Sequence, residues 1–141
     1  MEVRYATPRP LPDAHEQELG VTLMDLDELL AWADIVSLHC PLTDETRGLI
    51  TRERIARLRP EAVLINTARG AIVDEAALVE ALVARRIAGA GLDVFADEPH
   101  VPAALLDLPH VVLTPHIADA TPGAERRLVD HCVRVVLETL G

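Results

Sequence analysis

The chain has 141 residues, half of them hydrophobic, with Tyr5, Trp32 and Phe95 as its only aromatics and a formal net charge of -10. That length suits one domain whose core is built from Val, Leu, Ile and Ala, the usual filling of a sheet covered by helices. The charge argues against a nucleic-acid partner or an anionic membrane surface, and no apolar run reaches the ~20 residues of a spanning helix.

All 13 basic residues are arginine, which excludes a Schiff-base lysine and a phosphate-loop lysine. Cys40 and Cys132 lie far apart and form no paired framework, and no basic-then-apolar leader opens the sequence. A reduced, cytoplasmic setting is the expectation.

In chain order, "EVRYA" (2–6) reads as a short strand, followed by a proline-rich turn, a short helix closed by Gly20 and a brief strand "VTLM". Asp25 is positioned to cap a helix over 25–34, whose Leu26, Leu29, Leu30 and Ala33 fall at helical spacing. "IVSLH" (35–39) is a buried strand and "CPLTDETRGLI" a long loop. Thr51 caps "RERIARL", which Pro60 stops, and "AVLIN" (62–66) is the next strand. Asp74 opens an amphipathic helix running into Arg85 and Arg86, whose charges would suit its carboxyl end. "IAGAGLDVF" (87–95) is a strand whose glycines imply close backbone approach, and "VVLTP" (111–115) is the last strand. Thr121 and Pro122 start a final helix to about Leu140. Alternating strands and helices, with strands that are continuously apolar, predict an α/β fold: a parallel sheet with helices on both faces.

In such sheets ligands bind beyond the carboxyl ends of the strands. Three chemically able residues fall there. Arg69 is a planar, permanently charged fork suited to a carboxylate, with Gly70 behind it as a flexible hinge; its position is equally compatible with a surface ion pair to Asp74 or Glu75. His116 can exchange a proton near neutral pH, or simply bond a backbone carbonyl. Glu98 can fix and charge a histidine ring, with Asp97 as an equal competitor by sequence. The histidine and cysteine spacings match no closed metal site, so no metal is expected. Together the three residues suit oxidation of an alcohol next to a carboxylate, with a cofactor taking the hydride.

Four stretches in order, "SLHCPLTDETRGLI", "AVLINTARGAIVDEAALVEAL", "IAGAGLDVFADEP" and "VVLTPHIADAT", resemble the D-isomer-specific 2-hydroxyacid dehydrogenases. The resemblance implies that Arg69 binds the substrate's carboxylate and carbonyl, that His116 is the general acid/base and that Glu98 is its partner. It implies a 2-hydroxy or 2-oxo acid substrate and cofactor contacts from Cys40, Pro41, Thr46, Thr67, Ala68 and Asp93, and from the turn after His116 through Ile117, Ala118 and Asp119. A homodimer is the expectation from full-length members of the family.

The sequence departs from the family at three places. Where the second strand usually ends in an acid for the adenosine ribose, this chain has Thr7, then Pro8 and Arg9, so NAD is expected with NADP possible. Ala118 and Asp119 stand where a glycine and a small residue are common, and Asp119 is expected to repel a cofactor phosphate or point to solvent. No G-x-G-x-x-G occurs. The expected fold is therefore an incomplete Rossmann-type doubly wound sheet lacking the first strand and its glycine-rich loop, with residues 1–141 a partial dinucleotide-binding domain and the substrate-binding domain absent. Such a chain alone is expected to be poorly stable and not to turn over substrate. The alternative is a non-catalytic NAD-binding or corepressor-like module, which would have no chemical need for the trio.

Overall fold

The computed structural model describes residues 1–140. Its elements are β1 (Val3–Tyr5), α1 (Asp13–Leu19), β2 (Val21–Leu23), α2 (Leu26–Trp32), β3 (Ile35–Leu38), α3 (Arg52–Ile55), β4 (Val63–Asn66), α4 (Glu75–Val83), β5 (Gly89–Leu92), α5 (Ala103–Leu106), β6 (Val111–Leu113) and α6 (Pro122–Leu140), with a 3-10 turn at Gly70–Ile72. All strand pairs are parallel. They form two sheets, a pair β1-β2 and a four-stranded sheet in the order β3-β4-β5-β6. No ladder joins β1 to β3 among the described residues, which is the separation expected of a Rossmann-type sheet without its central strand.

Local chemistry sets the helix starts as the sequence predicts. Asp25 accepts the amides of Asp27 and Glu28, Thr51 accepts that of Arg54, and Asp74 accepts that of Ala77, each satisfying donors that an α-helix leaves free at its start. The helix ends differ from expectation. α4 stops at Val83, because Arg85 takes a left-handed backbone (φ 54) and the amide of Arg86 returns to the carbonyl of Ala81. The two arginines therefore lie beyond the last helical turn rather than in it. β5 and β6 are shorter than predicted, since β6 pairs with β5 through Leu113 and then bends away to Pro115 and His116.

The core lies on one side of the four-stranded sheet. Val36, Leu38, Leu64, Ala90 and Leu92 point into it and meet Leu30, Ile55, Leu78, Leu82 and Leu105 from a continuous layer of α2, α3, α4 and α5. A fully buried leucine contributes about 1.5–3 kcal/mol relative to exposure, so this layer carries most of the stabilisation. The opposite face is open, with Ile35 59% and Val112 66% exposed. Of the doubly wound arrangement, the described residues supply one helical layer. α6 follows the last strand with an apolar stripe through Val129, Val133, Val136 and Leu140, yet buries none of its residues.

Candidate active site

The carboxyl ends of β3, β4, β5 and β6 lie along one edge of the sheet because all four strands run parallel. That edge carries Cys40, Arg69, Asp93 and His116. After β6 the backbone turns sharply, and His116 takes a left-handed conformation (φ 54) that costs a non-glycine residue on the order of 1–3 kcal/mol. Asp93 holds the turn. Its carbonyl accepts the His116 amide at 2.9 Å, Oδ1 accepts the Thr114 hydroxyl at 2.5 Å and the Ile117 amide at 2.9 Å, and Oδ2 accepts the Ala118 amide at 2.9 Å. Asp93 is only 3% exposed; burial pushes its pKa up, but the bonds from Thr114, Ile117 and Ala118 outweigh this and leave it below the ordinary value.

The turn aims His116 at Glu98. Nδ1 of the ring lies 2.8 Å from Glu98 Oε2, while Oε1 of the same carboxylate accepts the Phe95 amide at 3.0 Å. The carboxylate is thus fixed from both sides, and Nε2 remains the ring nitrogen available to a ligand. The hydrogen bond to His116, then the Phe95 amide, and more weakly the nearby charge of Arg69, hold the Glu98 pKa below its usual range. Asp97, the competitor by sequence, faces His100 at 3.7 Å on an exposed turn instead.

Arg69 is exposed and donates to the carbonyl of Ala68 at 2.5 Å. The ion pair with Asp74 or Glu75 is absent among the described residues: Asp74 caps α4 and Glu75 accepts the Ala96 amide at 3.0 Å. Gly70 corrects the sequence reading. It is buried, opens the 3-10 turn and has no left-handed backbone, so it is not a hinge. A Cβ there would lie 2.0 Å from the carbonyl carbon of Phe95, so glycine is needed for the arginine loop to lie against the loop that carries Glu98. That contact brings Arg69, Glu98 and His116 to one place.

Two hollows flank the trio. One, of about 550 Å³, opens at the ends of β3 and β4 between His39, Cys40, Pro41 and Leu42 on one side and Thr67, Ala68 and Arg69 on the other. The second, of about 300 Å³, is mainly apolar and runs from Glu98 and His116 to Phe95, Val101 and Leu113.

The family model for the D-isomer specific 2-hydroxyacid dehydrogenase, NAD binding domain, matches residues 1–118. The chain belongs to this family. It is 52% identical over 122 residues to a glyoxylate/hydroxypyruvate reductase B of Pectobacterium carotovorum, covering 86% of this chain and 38% of that protein. Among solved structures, the NAD-complexed D-isomer specific 2-hydroxyacid dehydrogenase of Lactobacillus delbrueckii superposes with a TM-score of 0.90 at 37% identity, over 99% of this chain and 46% of that one. An NADPH-dependent glyoxylate/hydroxypyruvate reductase of Sinorhizobium meliloti, solved with NADP and malonate, gives a TM-score of 0.80 at 41% identity, over 87% of this chain and 37% of that one. The chain spans less than half the length of each of these relatives.

The other residues singled out by family resemblance are distributed unevenly. Cys40, Pro41, Thr67 and Ala68 line the larger hollow. Thr46 does not line it; its hydroxyl donates to the carbonyl of Pro41 at 2.6 Å and accepts the Thr43 amide at 2.8 Å, which shapes the loop from behind. Ala118 gives its amide to Asp93, and Asp119 is exposed. Thr7 lies at the end of β1 on the separate two-stranded sheet, near Arg9, whose amide reaches the threonine hydroxyl at 3.4 Å. Asn66 went unrecognised in the sequence, although a polar residue closing an otherwise apolar strand was a readable signal.

Among the described residues, no helix is long and apolar enough to cross a membrane. Both cysteines are free.

Proposed function

We propose that this chain forms part of the dinucleotide-binding domain of an NAD(P)-dependent D-2-hydroxyacid dehydrogenase and carries its acid/base and carboxylate-binding groups. Arg69 holds the substrate carboxylate through its two parallel N–H donors, a geometry that lysine does not offer. His116 takes the proton of the substrate hydroxyl at Nε2 and returns it when the 2-oxo acid is reduced. Glu98 keeps the ring in place through Nδ1, and its negative charge offsets the positive charge the imidazole gains. Cys40, Pro41, Thr67 and Ala68 hold the nicotinamide end of NAD or NADP, and Asp93 acts on the site through the turn it fixes. When bound, the dinucleotide supplies the hydride acceptor for oxidation and the hydride donor for reduction.

The 2.8 Å contact between His116 and Glu98, beside the charge of Arg69, is the observation that carries this reading. It supports catalysis over a purely structural or corepressor-like role, which has no use for a histidine held in a costly backbone conformation. The substrate pocket and the pyrophosphate site of such an enzyme draw on further elements, including a strand between β1 and β3. Glyoxylate and hydroxypyruvate are the substrates to try first, given the names of the relatives.

Replacing the matching segment of the Pectobacterium reductase with this chain tests the proposal. The hybrid oxidises NADH or NADPH in the presence of glyoxylate or hydroxypyruvate, and Arg69→Gln raises its KM by about 100-fold or more, as expected when a charge-assisted pair of bonds is lost. An active hybrid indifferent to Arg69→Gln would sink the assignment.

A further inference from the structure

The reading of Arg69 as carboxylate anchor raises the matter of what holds Arg69, since it is exposed and its guanidinium hydrogen-bonds, among the described residues, the carbonyl of Ala68 alone. Asn66 ends β4 on the core side, level with Leu38 of β3 and Leu92 of β5. Its strand neighbours on that side are apolar, yet Asn66 is 2% exposed, and it and Asp93 are the two buried polar residues among those described. A buried carboxamide left unpaired costs about 1–3 kcal/mol, so it persists there only with partners.

Both partners belong to the arginine loop. Nδ2 donates to the carbonyl of Arg69 at 3.0 Å, and Oδ1 accepts the amide of Ala68 at 3.0 Å. The main-chain carbonyl of Asn66 accepts the amide of Asp93, also at 3.0 Å, and Asp93 holds the His116 turn with its remaining atoms. An apolar side chain would suit the core at this position equally well; only the loop needs an amide, with a donor and an acceptor on one planar group.

We propose that Asn66 is a positioning residue for Arg69 and, through its carbonyl and Asp93, the link that keeps the arginine loop in register with the histidine turn. The inference rests on the anchor reading of Arg69. The site is then preorganised by two buried polar residues at the ends of adjacent strands, one per loop, joined by a single backbone hydrogen bond.

The test is an oxalate titration of the hybrid reductase bearing this chain, followed by NMR at the Arg69 side-chain Nε–H and the His116 ring. Asn66→Ala and Asn66→Asp each weaken oxalate binding about tenfold, because a misplaced clamp loses its bidentate geometry. Amide exchange at Leu64 and Leu92 stays within about twofold of the unsubstituted hybrid, since the sheet itself is intact. In combination with Arg69→Ala, the Asn66 substitutions add nothing further, because Asn66 acts through Arg69. Should Asn66→Ala fail to fold, Asn66→Asp carries the test: it is isosteric, keeps the acceptor for Ala68 and loses the donor to Arg69. Oxalate binding unchanged in the Asn66 variants, or losses that simply add to that of Arg69→Ala, would overturn the positioning role and leave the anchor reading standing. Oxalate binding unchanged by Arg69→Ala would overturn the anchor reading, and this inference with it.

Discussion

The β3–β6 sheet with its helical layer and the first 29 residues of the chain are built from similar residues and reach opposite outcomes. In the four-stranded sheet each interior strand has a neighbour on both sides, and the core-facing residues of α2 to α5 close over one face. In the β1-β2 pair each strand has one neighbour, three residues per strand are paired, and no residue before Leu30 is buried. Hydrophobic residues are plentiful in both regions; what differs is whether a second surface exists to bury them against. An isolated two-stranded pair is marginal in water, and ladder hydrogen bonds alone do not offset the entropy of ordering it. The site residues follow the same division. Arg69, Glu98 and His116 sit on the packed sheet, whereas Thr7 sits on the pair.

Substitutions in the two regions therefore differ in size, and the contrast can be broken experimentally. Leu82→Ala opens a cavity where α4 meets the sheet and costs about 2–5 kcal/mol in denaturant unfolding. A loss below about 1 kcal/mol would mean that the layer is not the stabilising core. Gly70→Ala costs about 1–3 kcal/mol, because the new Cβ meets backbone at Phe95 and Ala96 that no rotamer change relieves. It also moves the arginine loop away from Glu98, so the Phe95 and Ala96 amide resonances shift while those of β1 and β2 do not.

Acid should separate the regions too. Folding holds the Asp93 and Glu98 carboxyls below their ordinary values of 3.8 and 4.5, so the unfolded chain binds protons more tightly than the folded one. Their stabilisation is complete above about pH 4.5 and is lost as the pH falls through the folded-state values. Thermal melts between about pH 6 and pH 3 should show the packed sheet losing stability, and Glu98→Gln should flatten part of that slope. A slope unchanged by Glu98→Gln would remove the His116 contact from the account. The smallest effect is on α6, where Leu137→Ala changes unfolding by no more than about 0.5 kcal/mol, because the side chain is exposed.

Much of this was legible in the sequence. Asp25, Thr51 and Asp74 announce their helices because a cap is a local event involving three or four residues. The trio was legible because parallel strands force their carboxyl ends to one edge, so residues remote in sequence share a neighbourhood. What could not be read depends on contacts between segments. Gly70 looks like a hinge until Phe95 and Ala96 are seen packed on it. Glu98 and Asp97 are adjacent acids, separated only by the turn that gives one to His116 and the other to His100. The open sheet face was invisible for the same reason, since the apolar strands signal burial without saying what does the burying. α5 was missed because its four residues carry neither a side-chain cap nor a full period.

The central claim is that His116, held by Glu98, moves the proton in a 2-hydroxyacid dehydrogenase reaction. Its most direct test is steady-state reduction of glyoxylate or hydroxypyruvate by the hybrid reductase bearing this chain, with and without His116→Gln. The account predicts that kcat falls by about 100- to 10,000-fold while dinucleotide binding is retained. An active hybrid whose kcat is unchanged by His116→Gln would contradict it.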